Sequence, residues 1–177
     1  MRAAEGLAMA IENYEDVTAY GLDPDTEREL IAKQNECSFN WVTKDGWPMG
    51  VIMSYLERDG HYWLTASSQR KRIPAVRRDG RVSIIITSAG TDLGSGKTVT
   101  YKGTCAVHDD AETKAWFYPA MATRLRAKQG QEMVDEFARF LDSPQRVILE
   151  VTPVLRIGFD SAKMRAATAA AREAAKG

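Results

Sequence analysis

Cysteine and histidine are scarce in this chain, with two of each among 177 residues. Cys37 and Cys105 stand far apart, and His61 and His108 fall in no metal-ligand spacing, so neither a disulfide framework nor a zinc-type metal site is indicated. The cysteines read as small buried apolar side chains. Charge of one sign is not in excess either: 24 basic and 24 acidic side chains cancel. A balanced chain lacks the bulk attraction that nucleic acid or an anionic membrane demands. No stretch approaches the roughly 18 apolar residues of a membrane span. The opening Met1-Arg2-Ala3-Ala4-Glu5-Gly6 lacks the apolar run of a secretion signal, and the expected location is the cytoplasm. No serine sits in the Gly-x-Ser-x-Gly turn of the hydrolase type, which argues against hydrolysis. A chain without its own acid–base machinery borrows its chemistry from a cofactor.

What is present is an ordinary globular balance, 44% hydrophobic and 27% charged. The length suits one domain with its own core and no disulfide staples. Asp23-Pro24-Asp25-Thr26 reads as a helix start, with proline and acidic residues in the first turn, and the helix runs to about Gln34. Strand patterns follow over Ser38–Thr43, Pro48–Leu56 and His61–Ala66. They are separated by the Asp-Gly turns at Asp45-Gly46 and Asp59-Gly60. Two hairpins in a row predict an antiparallel meander. In the third strand Tyr62, Leu64 and Ala66 share one face and His61, Trp63 and Thr65 the other. Trp41, Trp47 and Trp63 fall in strand patterns and read as buried or ligand-facing.

A short helix is expected before Arg78, then a buried strand over Arg81–Thr87 and an alternating strand over Thr98–His108. Asp109-Asp110 caps a helix with Phe117, Met121 and Leu125 at helical spacing. After a break near Gly130 the stripe Met133, Val134, Phe137, Phe140, Leu141 continues it. Arg146–Val151 is a strand that Val154–Phe159 extends or bends, and Ala166–Lys176 is an alanine-rich helix. Six or seven antiparallel strands with inserted helices make a mainly β barrel with peripheral helices, not an alternating βαβ sheet.

Two motifs bear on ligands. Thr91-Asp92-Leu93-Gly94-Ser95-Gly96-Lys97-Thr98 nearly spells a phosphate loop. It has Thr91 where that loop needs glycine, and a strand pattern follows where the loop needs a helix. It reads as a connection between strands. The second motif is Thr65-Ala66-Ser67-Ser68-Gln69-Arg70-Lys71-Arg72, where a strand end gives way to hydroxyls and three cations. Arg77, Arg78 and Arg81 enlarge the patch and only Asp79 opposes it. Hydroxyls, arginine forks and a lysine at such a junction suit phosphate. On charge pattern alone a solvated helix face is the first reading of the same charges; a nucleic-acid patch over residues 70–81 is the third, and the neutral total argues against it.

These pieces together resemble the pyridoxamine-phosphate-oxidase-like split barrels, which include flavin- and deazaflavin-dependent oxidoreductases of actinobacteria. The resemblance spans residues 26–160. It is carried by Trp47-Pro48-Met49-Gly50-Val51-Ile52-Met53, by Trp63–Lys71, by Val76–Ser83, by Thr98–Gly103 and by Arg146–Pro153. Residues 1–25 are then an N-terminal extension and 161–177 a C-terminal helix. The resemblance implies an antiparallel split β-barrel of the FMN-binding type. The phosphate of FMN, or of a deazaflavin of the coenzyme F420 type, would be held by Thr65, Arg70 and Lys71. Val51, Ile52 and Met53 would line the ring through backbone contacts, and Ala66, Ser67 and Thr98 complete the cofactor-contacting set. Thr98 stands where oxidases of pyridoxamine phosphate carry glutamine, and their C-terminal arginine motif is not evident, so oxidation of vitamin B6 is not implied. The resemblance further implies a homodimer with shared sites and hydride transfer with a small organic substrate. No catalytic side chain is named. The competing expectations are a carrier or sensor of flavin, deazaflavin or haem that does not turn over, and the nucleic-acid module.

Overall fold

The structure is a computed structural model that describes residues 17–174. The start of the chain, on which the expectation of no secretion signal rests, most of the 1–25 extension and the last residues of the alanine-rich helix lie outside the described residues. Seven strands form one sheet: β1 (Glu36–Val42), β2 (Pro48–Ser54), β3 (Leu56–Arg58), β4 (His61–Ser67), β5 (Arg81–Thr87), β6 (Lys97–His108) and β7 (Arg146–Asp160). Among the described residues five α-helices accompany them: α1 (Pro24–Lys33), α2 (Arg72–Arg78), α3 (Ala111–Arg126), α4 (Gln131–Leu141) and α5 (Ser161–Ala174). The class is mainly β with peripheral helices, as the strand count and Asp-Gly turns predict. β1 pairs antiparallel with β2 and β5, and β4 pairs antiparallel with β3 and β7.

The order across the sheet is β2-β1-β5-β6-β7-β4-β3. This corrects the predicted meander, because the two hairpins stand at opposite edges. A two-residue turn specifies only its own pair of strands. The long-range pairings of β1 with β5 and of β4 with β7 decide where each hairpin goes. Asp59-Gly60 forms the expected two-residue turn, with φ +56° and +79°, whereas the first hairpin closes over three residues, Lys44-Asp45-Gly46, of which Gly46 takes positive φ, +87°.

The chain forms two compact units. One comprises Asn35–Ile86 and Tyr101–Arg156. Here β1, β4 and β5 alternate strictly, burying Cys37, Phe39, Trp41, then Tyr62, Leu64, Ala66, then Val82, Ile84, Ile86. Alternation fails on β7, where Val147, Ile148 and Leu149 are all buried. Its second face is covered by α3 and α4, whose Phe117, Met121 and Leu141 pack with Ile148. On a flat sheet β2 and β4 would lie about 24 Å apart, five strand spacings. Instead, side chains of both line one cavity, so the sheet of this unit curls.

Helix α3 begins where Asp109-Asp110 predicts. The Asp110 carboxylate accepts the Thr113 amide at 2.8 Å. Asp110→Ala is expected to cost about 1 kcal/mol, a fall in Tm of roughly 2–4 °C. A thermal melt checks this, and an unchanged midpoint would mean the cap contributes nothing. The stripe predicted for α4 is split by the fold. Val134 and Leu141 are buried, whereas Met133 and Phe140 are 38% and 64% exposed. Trp47, read as buried or ligand-facing, sits in the turn before β2 and is 67% exposed.

The other unit comprises the described residues up to Gln34, Thr87–Thr100 and the chain from Ile157 onward. Asp23 precedes α1, with Pro24 in its first turn. The Gln34 amide donates to the Thr87 and Ala89 carbonyls at 2.8 and 3.0 Å. Lys163 of α5 donates to the Gly21 carbonyl and to Asp23, at 2.8 and 2.7 Å. The near-phosphate loop is spent on itself: Lys97 Nζ donates to the Leu93 carbonyl at 2.9 Å, and β6, not a helix, follows. No helix among the described residues is long and apolar enough to cross a membrane. Cys37 and Cys105 are free and buried, and burial pushes both thiols up to about 12. They stay protonated and inert.

Candidate functional site

The cavity that β2 and β4 share has a volume of about 290 Å³. β2 contributes Ile52, Met53 and Ser54, and β4 contributes Thr65. Helices α3 and α4 close it with Met121, Leu125, Phe137 and Phe140. This wall is apolar because both helices turn their large side chains to the curled sheet. Phe137 and Phe140 stack with ring centroids 5.9 Å apart. Two cations break the apolar lining: Arg72, the first residue of α2, and Arg146, the first residue of β7.

Neither arginine is fully satisfied. The Nε of Arg72 and the Nε of Arg146 are both buried, and neither has a hydrogen-bond partner among the described residues. Burial first, and the nearby charge of Arg70 second, hold the Arg72 guanidinium below its usual value. Arg146 lies over the Phe140 ring at 5.7 Å, which offsets part of its charge through the ring face. No carboxylate lines the cavity to neutralise either cation. An unsatisfied buried donor costs about 1–3 kcal/mol. Two of them on one apolar cavity make a receptor for an anion attached to an apolar body.

The structure brings three of the sequence-predicted residues together here: Ile52, Met53 and Thr65. Thr65 donates its hydroxyl to the Val147 carbonyl at 2.8 Å and keeps an oxygen lone pair for another donor. Val51 lies next to Ile52 on β2, half-buried and paired with Phe39. Ala66 is buried on the opposite face of β4 from Thr65. Ser67 ends the strand and its hydroxyl accepts the Gln69 amide at 3.3 Å. Arg70 and Lys71 are exposed on the turn into α2 and do not line the cavity. Thr98 is half-buried on β6 and belongs to the other unit.

The remaining cations of the basic patch are engaged by the protein itself. Arg81 pairs with Asp79 at 2.6 Å and Arg77 with Asp109 at 3.9 Å, and Arg78 donates to the Val42 carbonyl at 2.9 Å.

Sequence reasoning did not single out Arg146, Phe137 or Phe140 as ligand-facing. It counted Arg72 only as one charge of a patch. It also missed a cluster on the outer face of β4 and β7. There Glu150 takes His61 Nδ1 on one carboxylate oxygen at 2.8 Å and His108 Nε2 on the other at 2.7 Å. The Trp63 ring is near both imidazoles, with centroids 6.4 and 5.7 Å away. His61, at the start of β4, is thus tied to β7. Only the register Trp63↔Glu150 brings these residues together.

Comparison with known proteins matches this architecture. Residues 24–156 match the family described as pyridoxamine 5'-phosphate oxidase. The chain belongs to that family. A comparison with curated proteins returns no match. Among solved structures, a conserved hypothetical protein of Mycobacterium tuberculosis superposes with a TM-score of 0.66 at 18% identity, over 81% of this chain and 88% of that one. HutZ, the haem storage protein of Vibrio cholerae, gives 0.57 at 13% identity, over 77% and 95%. An F420 reductase gives 0.55 at 17% identity, over 73% and 94%. At these identities the likeness is one of fold. Pyridoxamine-phosphate-oxidase membership therefore secures the split-barrel architecture of the chain, and the cavity residues have to speak for its ligand.

Proposed function

We propose that this protein is an oxidoreductase that holds a phosphorylated flavin or deazaflavin, FMN or the F420 type, in the cavity between β2, β4, α3 and α4. One observation carries the reading. Two arginines with unpartnered buried Nε groups line a cavity whose α3 and α4 wall is apolar, and no carboxylate there competes for them. Those donors fit a phosphate, and the Met121, Leu125 and Phe137 wall fits a flat ring system. Family membership and the similarity to an F420 reductase point the same way.

When bound, such a group supplies hydride transfer. The chain supplies the rest. Arg72 and Arg146 hold the anionic end, with Thr65 beside them, while Arg70 and Lys71 on the exposed turn add positive potential that draws an anion in. Ile52 and Met53 give the ring a wall, and Leu125 and Phe137 exclude water. The exposed apolar residues Trp47, Met49 and Ile52 on and before the edge strand β2 favour a homodimer that would cover them.

A second reading, a carrier without turnover, rests on what the cavity lacks. Its lining contains no imidazole, carboxylate or lysine to pass a proton. HutZ, of similar fold, is a haem storage protein. The self-engaged cations of the basic patch favour either of these over nucleic-acid binding.

The test is to add FMN and F420 separately to the purified chain and follow visible absorption and fluorescence. At least one should bind saturably. It should then be reduced by a nicotinamide or sugar-phosphate system and reoxidised by added acceptors. Binding without cycling would select the carrier, and binding of neither would overturn both. Sedimentation should report twice the 19.7 kDa chain mass.

A further inference from the structure

We infer that the groove between α3 and α4 is a second binding site, for a small aromatic carboxylate. It has a volume of about 390 Å³ and includes none of the cavity's lining residues. Ala111 and Ala115 of α3 face Ala138 of α4. Side chains that end at Cβ leave a slot between the helices, and a flat ring fills such a slot with contact on both faces.

The polar groups of the groove point to a carboxylate. Lys114 stands on one wall and Arg139 on the other, and neither makes an ion pair among the described residues. Tyr118 lines the groove from below. It is 3% exposed, and its hydroxyl is buried with no hydrogen-bond partner. Burial, more than any neighbouring charge, raises its pKa, so the phenol keeps its proton and is a donor awaiting an acceptor. Asp142 sets the upper limit on ligand charge. Its carboxylate shares the groove, disfavours a dianion such as phosphate, and can accept from a hydroxyl on the ring. Two cations, one phenol donor and one acceptor around an apolar slot match a singly charged hydroxyaryl carboxylate.

The experiment is calorimetric titration of the full chain with 4-hydroxybenzoate, benzoate and inorganic phosphate. 4-Hydroxybenzoate should bind one site per chain with a Kd on the order of 0.1–1 mM, within reach of a ligand of about ten heavy atoms. Benzoate should bind several-fold more weakly, and phosphate should not compete. Lys114→Gln and Arg139→Gln should each weaken 4-hydroxybenzoate by about fivefold or more, as charge-assisted bonds are lost. Ala115→Leu should abolish binding by filling the slot; leucine at this exposed helix position preserves the fold. Arg72→Gln should leave it unchanged. Absence of saturable binding at 10-fold above that range overturns the site. So does binding that survives Ala115→Leu, binding lost in Arg72→Gln, or phosphate that binds the groove as tightly as the carboxylate.

Discussion

Arg72→Gln and Arg146→Gln are each expected to weaken binding of FMN, or of F420 if that is the cofactor, by roughly 10- to 100-fold. The double variant is expected to lose on the order of 10³-fold. A hydrogen bond to a charged group is worth about 1.5–3 kcal/mol, and each 1.4 kcal/mol is tenfold in affinity. Both Nε groups are already buried and unpartnered, so the chain has met their desolvation cost and an arriving phosphate gains the full interaction. Riboflavin, which lacks the phosphate, should bind the variants and the parent alike. Arg70 and Lys71 are exposed, and exposed charges contribute about 0–1 kcal/mol. Replacing them by alanine should change affinity by less than about fivefold and show mainly in the association rate at low salt. Fluorescence titration separates the two sets. If the ranking reverses, the phosphate is held at the turn, as the family resemblance implies, and the cavity reading of Arg72 and Arg146 fails.

Gly103→Ala should destabilise the protein by about 3 kcal/mol, at the upper end for overpacking, and lower Tm by roughly 6–12 °C. Gly103 is buried on β6, and a Cβ there would press into the Thr152 carbonyl of β7 and lie 3.2 Å from the Pro153 Cα. The obstruction is backbone, so no rotamer change relieves it. Elsewhere in a strand the same substitution would stabilise slightly by reducing the freedom of the unfolded chain. A thermal melt with unchanged midpoint would show that β6 and β7 do not approach this closely. The effect should be indifferent to added FMN, which distinguishes it from the arginine variants.

The hairpin turns show how far local chemistry reaches. Gly46, Asp59 and Gly60 stand where the backbone takes positive φ, which glycine adopts freely and aspartate more readily than most residues. The faces of β4 were equally legible, since alternation with period two follows from the pleat. The buried cysteines, the Asp110 cap and the strand after Lys97 follow from similarly short-range rules. Legibility ended where distant segments meet. The meander was misread because a turn holds no information about the outer neighbour of its strands. Phe140 reads as core on helical spacing, yet it stands half in the open at a cavity. Arg146 gives no local sign of a role. It becomes a ligand-facing residue because β7 starts beside the end of β4, where Ser67 pairs with it. Glu150 meets two imidazoles for the same reason.

The sequence by itself determined the mainly β class, the positions of turns and caps, and the alternation that gives each strand an inside and an outside. All of these arise from interactions across a few residues and do not depend on where the rest of the chain lies. Only the tertiary structure decided the strand order, the curl that brings β2 to β4, and that the buried, unpartnered Nε groups of Arg72 and Arg146 meet at one cavity. Those depend on pairings between distant segments, such as Thr65 with Val147, 82 residues apart, and many such pairings are compatible with the same local pattern until packing selects one.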